Sequence, residues 1–587
     1  MWEMAESLSN ALADAQLVQS FSGVRTVFGQ GPGISNRHEV LATAYGYAYA
    51  VGCLRGTQAT FLLGRDPRPT GKALNRALVR GFLAGASEAH CALTIVDLGI
   101  ITTPLAETAV RALKADGGVM VTASHNPLEH NGFKFFTGCG WDDDPAAAPA
   151  GALLSATAMG KVIADVAALA SEAFSRLEGI VGRIGDRAVD EALSDGDRDA
   201  CRVQAERAYL DVIGEDWHIV PHCLKPLTLG PALLDPNGGA GCGIDARVLE
   251  HFGVKVIEVN AELGYPEHGI DTDGIDPASG RHMLMRVARA AARERAHFGV
   301  AFDYDADRGN LVLPGHDESA IIAPQQVAAF NIALGLARRR LNHEDSGKLA
   351  VVLSDATSLA SERVARLFGA EVHFVETGEI NVVTKMSALR REGYDVPVGV
   401  EGANGGTIFE TSTCRDGLQA ALSAALAESQ PEVSCEWLKI AGKVSGSAVD
   451  PDALSLSDLV ESVPVNPNVF LRMSSPPMSH GELKRRVEKE FASSVWPKLT
   501  GRFQSYRFVN YENLVVSDRR TGEESGGWRV VLDGPNRGAF VFLRGSRTES
   551  GVWRMIVDAD DAEDFAILKP AARAMFAAAA EGPCGAA

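Results

Sequence analysis

The stretch Gly117–Phe136, GGVMVTASHNPLEHNGFKFF, decides the fold. A short apolar strand breaks off into Thr122, Ala123, Ser124, His125, Asn126 and Pro127, and Lys134 follows a few residues later. In open α/β sheets ligands gather beyond the carboxyl ends of the strands, so an abrupt polar loop at such an end is a candidate site. Upstream, FLLG (61–64), GKALNRALVRGFLAGA (71–86), LTIVDLG (93–99) and PLAETAVRALKA (104–115) alternate short strands with amphipathic helices. That alternation predicts a parallel α/β unit ending in the serine loop.

The same order returns twice. ALLD (232–235), GIDARVLEHFG (243–253), VKVIEV (254–259), HMLMRVARAAARERA (282–296) and FGVAF (298–302) form a second copy. LAVVLSD (349–355), SLASERVARLFG (358–369), EVHFVE (371–376), INVVTKMSALRREG (380–393) and VPVGV (396–400) form a third. The three copies end in TASHNP (122–127), DYDADR (303–308) and EGANGG (401–406). Each loop alone reads equally well as a turn, a solvated acidic loop or a glycine-rich connection; their recurrence at equivalent places points to one site. After about Glu432 the alternation stops, and NVFLRM, WRVVLD, GAFVFLRG and VWRMIVDA read as antiparallel strands before a helix at DAEDFAILKPAARAMFAAAA.

The expected fold class is α/β with four domains: three similar units with mixed, mainly parallel sheets, and a C-terminal α+β domain. The boundaries read as 1–207 (with an Ala/Asp/Gly-rich insertion and linker from Trp141), 208–316, 317–432 and 433–587. A chain of 587 residues suits several cores rather than one. Its net charge of −19 disfavours nucleic acid, whose phosphates need a basic face, so any phosphate site must be built locally. MWEMAESLSN lacks a basic start followed by an apolar core, and no run of about 18 apolar residues appears, so no membrane partner and a cytoplasmic enzyme are expected. Nine scattered cysteines without a CxxC pair suit reduced thiols.

Asp303, Asp305 and Asp307 at alternate positions can converge three carboxylates on a hard cation, and Mg²⁺ fits oxygen ligands of this kind. A calcium hand is disfavoured, because its glycine and glutamate positions hold Arg308 and Pro314. Arg308 can neutralise an anion held by the same ion. Ser124 lacks the G-x-S-x-G surroundings of a hydrolase nucleophile. If Ser124 instead carries a phosphoryl group, the metal loop binds that phosphate, and His125 or Lys134 moves a proton to or from the attacking hydroxyl. In LRGSRTESGVWR (543–554), Arg544, Ser546, Arg547, Thr548 and Arg554 form a dianion cradle or, read alone, an exposed polar hairpin.

In this order the four loops resemble those of the α-D-phosphohexomutase family, over nearly the whole chain. FSGVRTVFG (21–29) is similar to the family's S-G-x-R opening, GRDPRPTG (64–71) to its G-x-D-x-R stretch, and VETGEINVVTKM (375–386) to its T-x-V-G region. The resemblance implies four domains around a central cleft and interconversion of hexose 1- and 6-phosphates through phosphoserine and a bisphosphorylated intermediate. It implies Mg²⁺ on Asp303, Asp305, Asp307 and the Ser124 phosphate, and a hexose 1,6-bisphosphate activator. Ser124, His125, Lys134 and Arg25 become the catalytic set. Glu401, Asn404, Thr377, Gly378, His268 and Arg308, with Arg544, Ser546, Arg547, Thr548 and Arg554, become the substrate-binding set. Hexose phosphates are then the partners of a monomer or weak homodimer.

This chain departs from the family in its sugar loop, where Glu401-Gly402-Ala403-Asn404-Gly405-Gly406 replaces G-E-x-S-G-H. Tyr304 stands where glycine is common, and Arg547 and Ser550 depart from the usual phosphate loop. The sugar loop looks more like that of bacterial phosphomannomutases, with glucose phosphate also turned over; the alternative is a glucosamine or acetylglucosamine phosphate mutase. Outside this class stand a non-catalytic sugar-phosphate-binding protein, which would not need to keep Ser124, Lys134 and three aspartates, and a metal-dependent phosphatase.

Overall fold

The computed structural model describes the chain except residues 1–7, 141–147, 172–177, 180, 195–197, 225–229, 273, 276–278, 343–347, 443–454, 513–514, 518–525, 536, 547–550 and 582–587. It divides into two compact units, Met1–Ile322 with Ile408–Gln430, and Ala323–Thr407 with Pro431–Ala587.

The first unit holds two mixed sheets. Strands β1 (Val18–Ser20), β2 (Gly23–Val27), β3 (Gln58–Arg65), β4 (Ala92–Ile100), β5 (Gly117–Val121) and β6 (His130–Thr137) lie in the order β1-β2-β6-β5-β3-β4. β3 runs parallel to β4 and β5, while β6 returns antiparallel beside β5. Strands β7 (Ala232–Asp235), β8 (Val256–Glu258), β9 (Phe298–Phe302) and β10 (Gly309–Val312) repeat the plan in the order β10-β9-β7-β8. Here β7 is parallel to β8 and β9, and β10 is antiparallel to β9. β5 (GGVMV) and β9 (FGVAF) are buried at every position, which is why both read as unbroken apolar runs instead of alternating ones.

The third sheet comprises β11 (Lys348–Ser354), β12 (Glu371–Val375), β13 (Tyr394–Glu401) and β14 (Gly406–Phe409), in the order β12-β11-β13-β14. β11 is parallel to β12 and β13. TASHNP, DYDADR and EGANGG therefore occupy one topological place, the connection from the third strand of each repeat to its neighbour. The last sheet comprises β15 (Asn468–Ser474), β16 (Ser505–Glu512), β17 (Val515–Ser517), β18 (Trp528–Gly534), β19 (Arg537–Gly545) and β20 (Val552–Ala559), in the order β15-β20-β19-β18-β16-β17. Its pairings are antiparallel, as the turn-punctuated sequence predicts. Trp528, Val530, Leu532, Val541, Leu543, Trp553, Met555 and Val557 pack on one face with the helices His480–Glu490 and Ala562–Glu581. Strand periodicity leaves Arg529, Phe540, Phe542, Arg544, Arg554 and Ile556 to the other face.

Among the described residues no helix is long and apolar enough to cross a membrane. The eight described cysteines are free thiols, in keeping with the sequence reading.

Candidate active site

In the first unit, Ser124 adopts a left-handed backbone with φ +51°, a conformation that costs a non-glycine residue energy and so needs bracing. Arg68 braces it. Fully buried, Arg68 pairs with Asp66 at 3.0 Å and donates to the carbonyls of Ser124, Asn126 and Pro127, each at 2.7 Å. Asp66 also accepts from Thr122 Oγ1, which in turn accepts from the Ser124 amide. The G-x-D-x-R stretch thus serves as the clamp of the serine loop.

The buried Ser124 hydroxyl donates to Asp303 Oδ2 at 2.7 Å and lies 3.4 Å from His125 Nδ1. Asp303, Asp305 and Asp307 each present a carboxylate oxygen within 4.8 Å of the others. Lys134, the fifth residue of the return strand β6, reaches Asp305 Oδ2 at 2.7 Å and Asp307 Oδ2 at 2.9 Å. Thr103 Oγ1, at the start of the helix Thr103–Ala112, donates to Asp305 Oδ2 at 2.7 Å. Arg415 donates to Asp307 Oδ2 at 2.8 Å, and Arg308 stands 3.8–3.9 Å from Asp303 and Asp307. Arg25 bears electrostatically on Asp305 and Asp307. Arg415 arrives there because the backbone at Gly309 and Gly417 touches: a Cβ on Gly309 would sit 2.4 Å from the Gly417 carbonyl oxygen.

These charges set the protonation states. Arg308, then burial, then Arg25 push His125 down to about 2, so the imidazole beside Ser124 is neutral. Burial pushes Asp303 up, and the neighbouring Asp307 and Asp305 push it further. Burial acts on Asp307 in the same sense, but Arg415, Lys134 and Arg308 outweigh it and hold that carboxyl below its ordinary range. Asp305 Oδ1 and Asp307 Oδ1 remain buried without a hydrogen-bond partner. Orphaned carboxylate oxygens are costly in a dry site. With the Ser124 oxygen close by, the donor set is all hard oxygen, which fits a divalent cation such as Mg²⁺.

His268 lies apart from this carboxylate cluster in its bonding: Nε2 is 3.0 Å from Asp235 Oδ2 and Nδ1 2.9 Å from the Gly269 carbonyl oxygen.

In the second unit, Glu401 is buried at the end of β13, and Gly402 and Gly405 carry the loop through positive φ (+83° and +67°). Gln325 holds this loop by donating to the carbonyls of Gly402 and Ala403 at 3.0 and 2.8 Å, and Ser354 accepts from the Gly402 amide. Asn404 is half-buried within it. Thr377 donates through its amide and hydroxyl to Asp355 Oδ1, at 2.7 and 2.6 Å, and Gly378 precedes the helix Glu379–Arg391 with φ +144°. Arg544 lies 3.5 Å from the Thr377 carbonyl oxygen and 3.6 Å from Glu376 Oε1. Arg544 pairs across β19–β20 with Arg554, which pairs across β20–β15 with Arg472. Ser546 is half-buried just beyond β19; Arg547 and Thr548 lie outside the described residues.

Four participants escaped the sequence reading: Thr103, Arg415, Gln325 and Arg472. Arg415 stands alone in TSTCRDG, and its signal is the glycine two residues on. Arg472 becomes meaningful only once strand register puts three arginines in one row.

A serine loop, an acidic metal loop and surrounding cations on repeated α/β units define a phosphoryl-transferring isomerase of the phosphomutase class. Residues 18–149 match the phosphoglucomutase/phosphomannomutase α/β/α domain I, and residues 330–438 match its domain III. The chain is 28% identical to the phosphoglucosamine mutase of Chelativorans sp. over 62% of this chain and 67% of that protein. It is likewise 28% identical to the phosphoglucosamine mutase of Renibacterium salmoninarum over 71% and 80% of the respective chains. Its fold is that of a phosphoglucomutase/phosphomannomutase family protein from Burkholderia thailandensis, with TM-score 0.61, 19% identity, and 97% and 98% of the chains covered. Two segments of the chain thus match phosphoglucomutase/phosphomannomutase domains, and the whole chain shares the fold of the Burkholderia protein.

Proposed function

We propose that the protein interconverts hexose 1-phosphate and hexose 6-phosphate through a phosphoserine at Ser124 and a hexose 1,6-bisphosphate. The observation that carries this is the hydroxyl of Ser124, held on a braced left-handed residue 2.7 Å from a buried carboxylate of a three-aspartate loop. In the first half-reaction a sugar hydroxyl oxygen bonds to phosphorus as the bond from phosphorus to Ser124 Oγ breaks. The hydroxyl proton passes by way of His125 or Lys134 to the Ser124 oxygen that is released, and Arg308 balances the anionic oxygens in transit. In the second half-reaction the other phosphoryl group of the bisphosphate passes to Ser124, whose hydroxyl proton returns to the sugar oxygen released. Asp303, Asp305, Asp307 and an oxygen on Ser124 would hold Mg²⁺, which when bound supplies charge neutralisation for the phosphoryl group.

In the second unit, Glu401 and Asn404 would accept and donate bonds to sugar hydroxyls. Arg544, Arg554 and Ser546, with Arg547 and Thr548, would hold the phosphate that does not react. Thr377 and Gly378 would shape the same subsite, Arg25 would meet the reacting phosphate, and His268 is retained as a binding residue acting from beside Asp235. The four-domain division at 207, 316 and 432 belongs to this reading.

For the sugar, the relatives named phosphoglucosamine mutase favour the amino-sugar alternative over the phosphomannomutase reading of the loop. The loop argument runs the other way, since the glycines beside Glu401 supply no side chain to read C2. Measuring kcat/KM for glucosamine, acetylglucosamine, mannose and glucose 1-phosphates under identical Mg²⁺ and bisphosphate decides it. Glucosamine 1-phosphate ahead by more than about tenfold establishes the amino-sugar reading, and mannose ahead by as much refutes it. Release of free phosphate faster than isomerisation would refute the mutase reading altogether.

A further inference from the structure

Away from the loops described above, the second unit carries a half-open pocket of about 370 Å³ lined by Val372, His373, Phe374, Lys385, Arg507, Tyr511 and Arg529, with Leu359, Glu362, Val509 and Val531 completing the wall. Its volume is in the range that holds a small metabolite. Arg529 gives it its character. This side chain is 1% exposed, yet its Nε and Nη2 have no hydrogen-bond partner. Its guanidinium is stacked on Phe540, 3.6 Å from the ring centroid, with Phe374 4.9 Å away. Arg529 donates one hydrogen bond to Tyr511; among the described residues no carboxylate lies within ion-pair distance of it, although its charge acts from further off on the buried Asp558.

Aromatic faces stabilise a cation but do not satisfy its N–H donors, and a buried charge normally keeps a counter-charge. The rest of the wall supplies none. Lys385 makes no ion pair among the described residues, and Arg507 has only Asp533 at 4.0 Å. The single acid, Glu362, is already engaged by Arg366 at 2.6 Å. Burial and then Lys385 lower the pKa of His373, while Glu371, 3.1 Å from its Nε2, and Glu392 act in the opposite sense.

We propose that this pocket is a second anion site and that it takes a small phosphate monoester. Arg529 offers a rigid pair of donors, Lys385 and Arg507 supply the further charge a dianion needs, and Val372, Phe374, Val509 and Val531 offer an apolar wall to the body of the ligand.

Calorimetric titration of the full-length protein with inorganic phosphate tests this. The parent should show two classes of phosphate site, one of them retained in Arg544→Ala. That retained class should weaken at least about tenfold in Arg529→Met and in the surface variant Lys385→Ala/Arg507→Ala, while turnover of the surface variant stays at the parental level. Acetate, a monoanion, should compete poorly. Parental phosphate binding in Lys385→Ala/Arg507→Ala overturns the proposal even if Arg529→Met does not fold. So does loss of both classes in Arg544→Ala, or acetate competing as well as phosphate.

Discussion

In the first unit Asp303, Asp305 and Asp307 are met by Lys134, Arg415, Arg308 and Arg25, whereas in the second Arg472, Arg554 and Arg544 stand side by side across three strands. The two regions treat charge in opposite ways. The carboxylate loop balances itself from its own neighbours and leaves two oxygens spare for a cation. The arginine row places like charges in directly opposite cross-strand positions, with Glu376 3.6 Å from Arg544 at one end, an arrangement that an anion would stabilise further. The difference separates roles: substitutions in the first region should act mainly on the rate of phosphoryl transfer, those in the second mainly on binding.

The sharpest way to break this contrast is Ser124→Ala. Turnover should fall by at least about a thousandfold with little change in KM, and intact-mass analysis of the active parent should show one phosphoryl group that the variant lacks. An active enzyme unmodified at Ser124 would remove the basis of the comparison. Next comes Asp305→Asn, which leaves Lys134 and Thr103 bonded to a neutral group. Metal affinity measured directly should drop, kcat should fall by about a hundredfold or more, and excess chelator should silence the parent until Mg²⁺ is restored.

Arg415→Ala tests whether the self-balance of the carboxylate loop matters. Asp307 loses the strongest of the cations that lower its pKa, so kcat should fall by about tenfold or more while KM moves little. Arg544→Ala addresses the other side. KM should rise by about tenfold and kcat should fall by less, because a phosphate held remotely also orients the reacting end. If Arg415→Ala moved only KM and Arg544→Ala only kcat, the division of labour would be reversed.

The smallest expected effect lies outside both regions. Burial raises Asp216 to about 7, despite bonds from the Thr411 amide and Gln419. Its unfolded pKa is about 4, so the folded state binds the extra proton between about pH 4 and 7. Stability should therefore fall as pH rises through that window and level off above it, by about 1–2 kcal/mol after allowance for solvent screening. Urea unfolding of Asp216→Asn should show a flatter profile over the same range.

Much of this molecule is legible in one dimension. Unbroken apolar runs such as GGVMV and FGVAF mark central strands, because a strand buried on both faces has no polar positions to alternate with. The carboxylates at 303, 305 and 307 fall in one loop, so their convergence is a local matter of spacing. The same holds for Ser124 with His125, and for the Asp66–Arg68 pair within GRDPRPTG. What the sequence alone leaves open is every relation that needs register or close approach between distant segments. Arg415 reaches Asp307 across more than a hundred residues because two glycines let the backbones touch. Gln325 reaches the Gly402 loop, and Arg472 joins Arg554 and Arg544, for like reasons. Arg529 in WRVVLD looks like any charged strand residue; only tertiary packing between Phe540 and Phe374 makes it a buried guanidinium with unused donors. The physical reason is common to all four: spacing along a chain fixes which face a side chain takes, while its partners are fixed by packing between segments that sequence distance does not constrain.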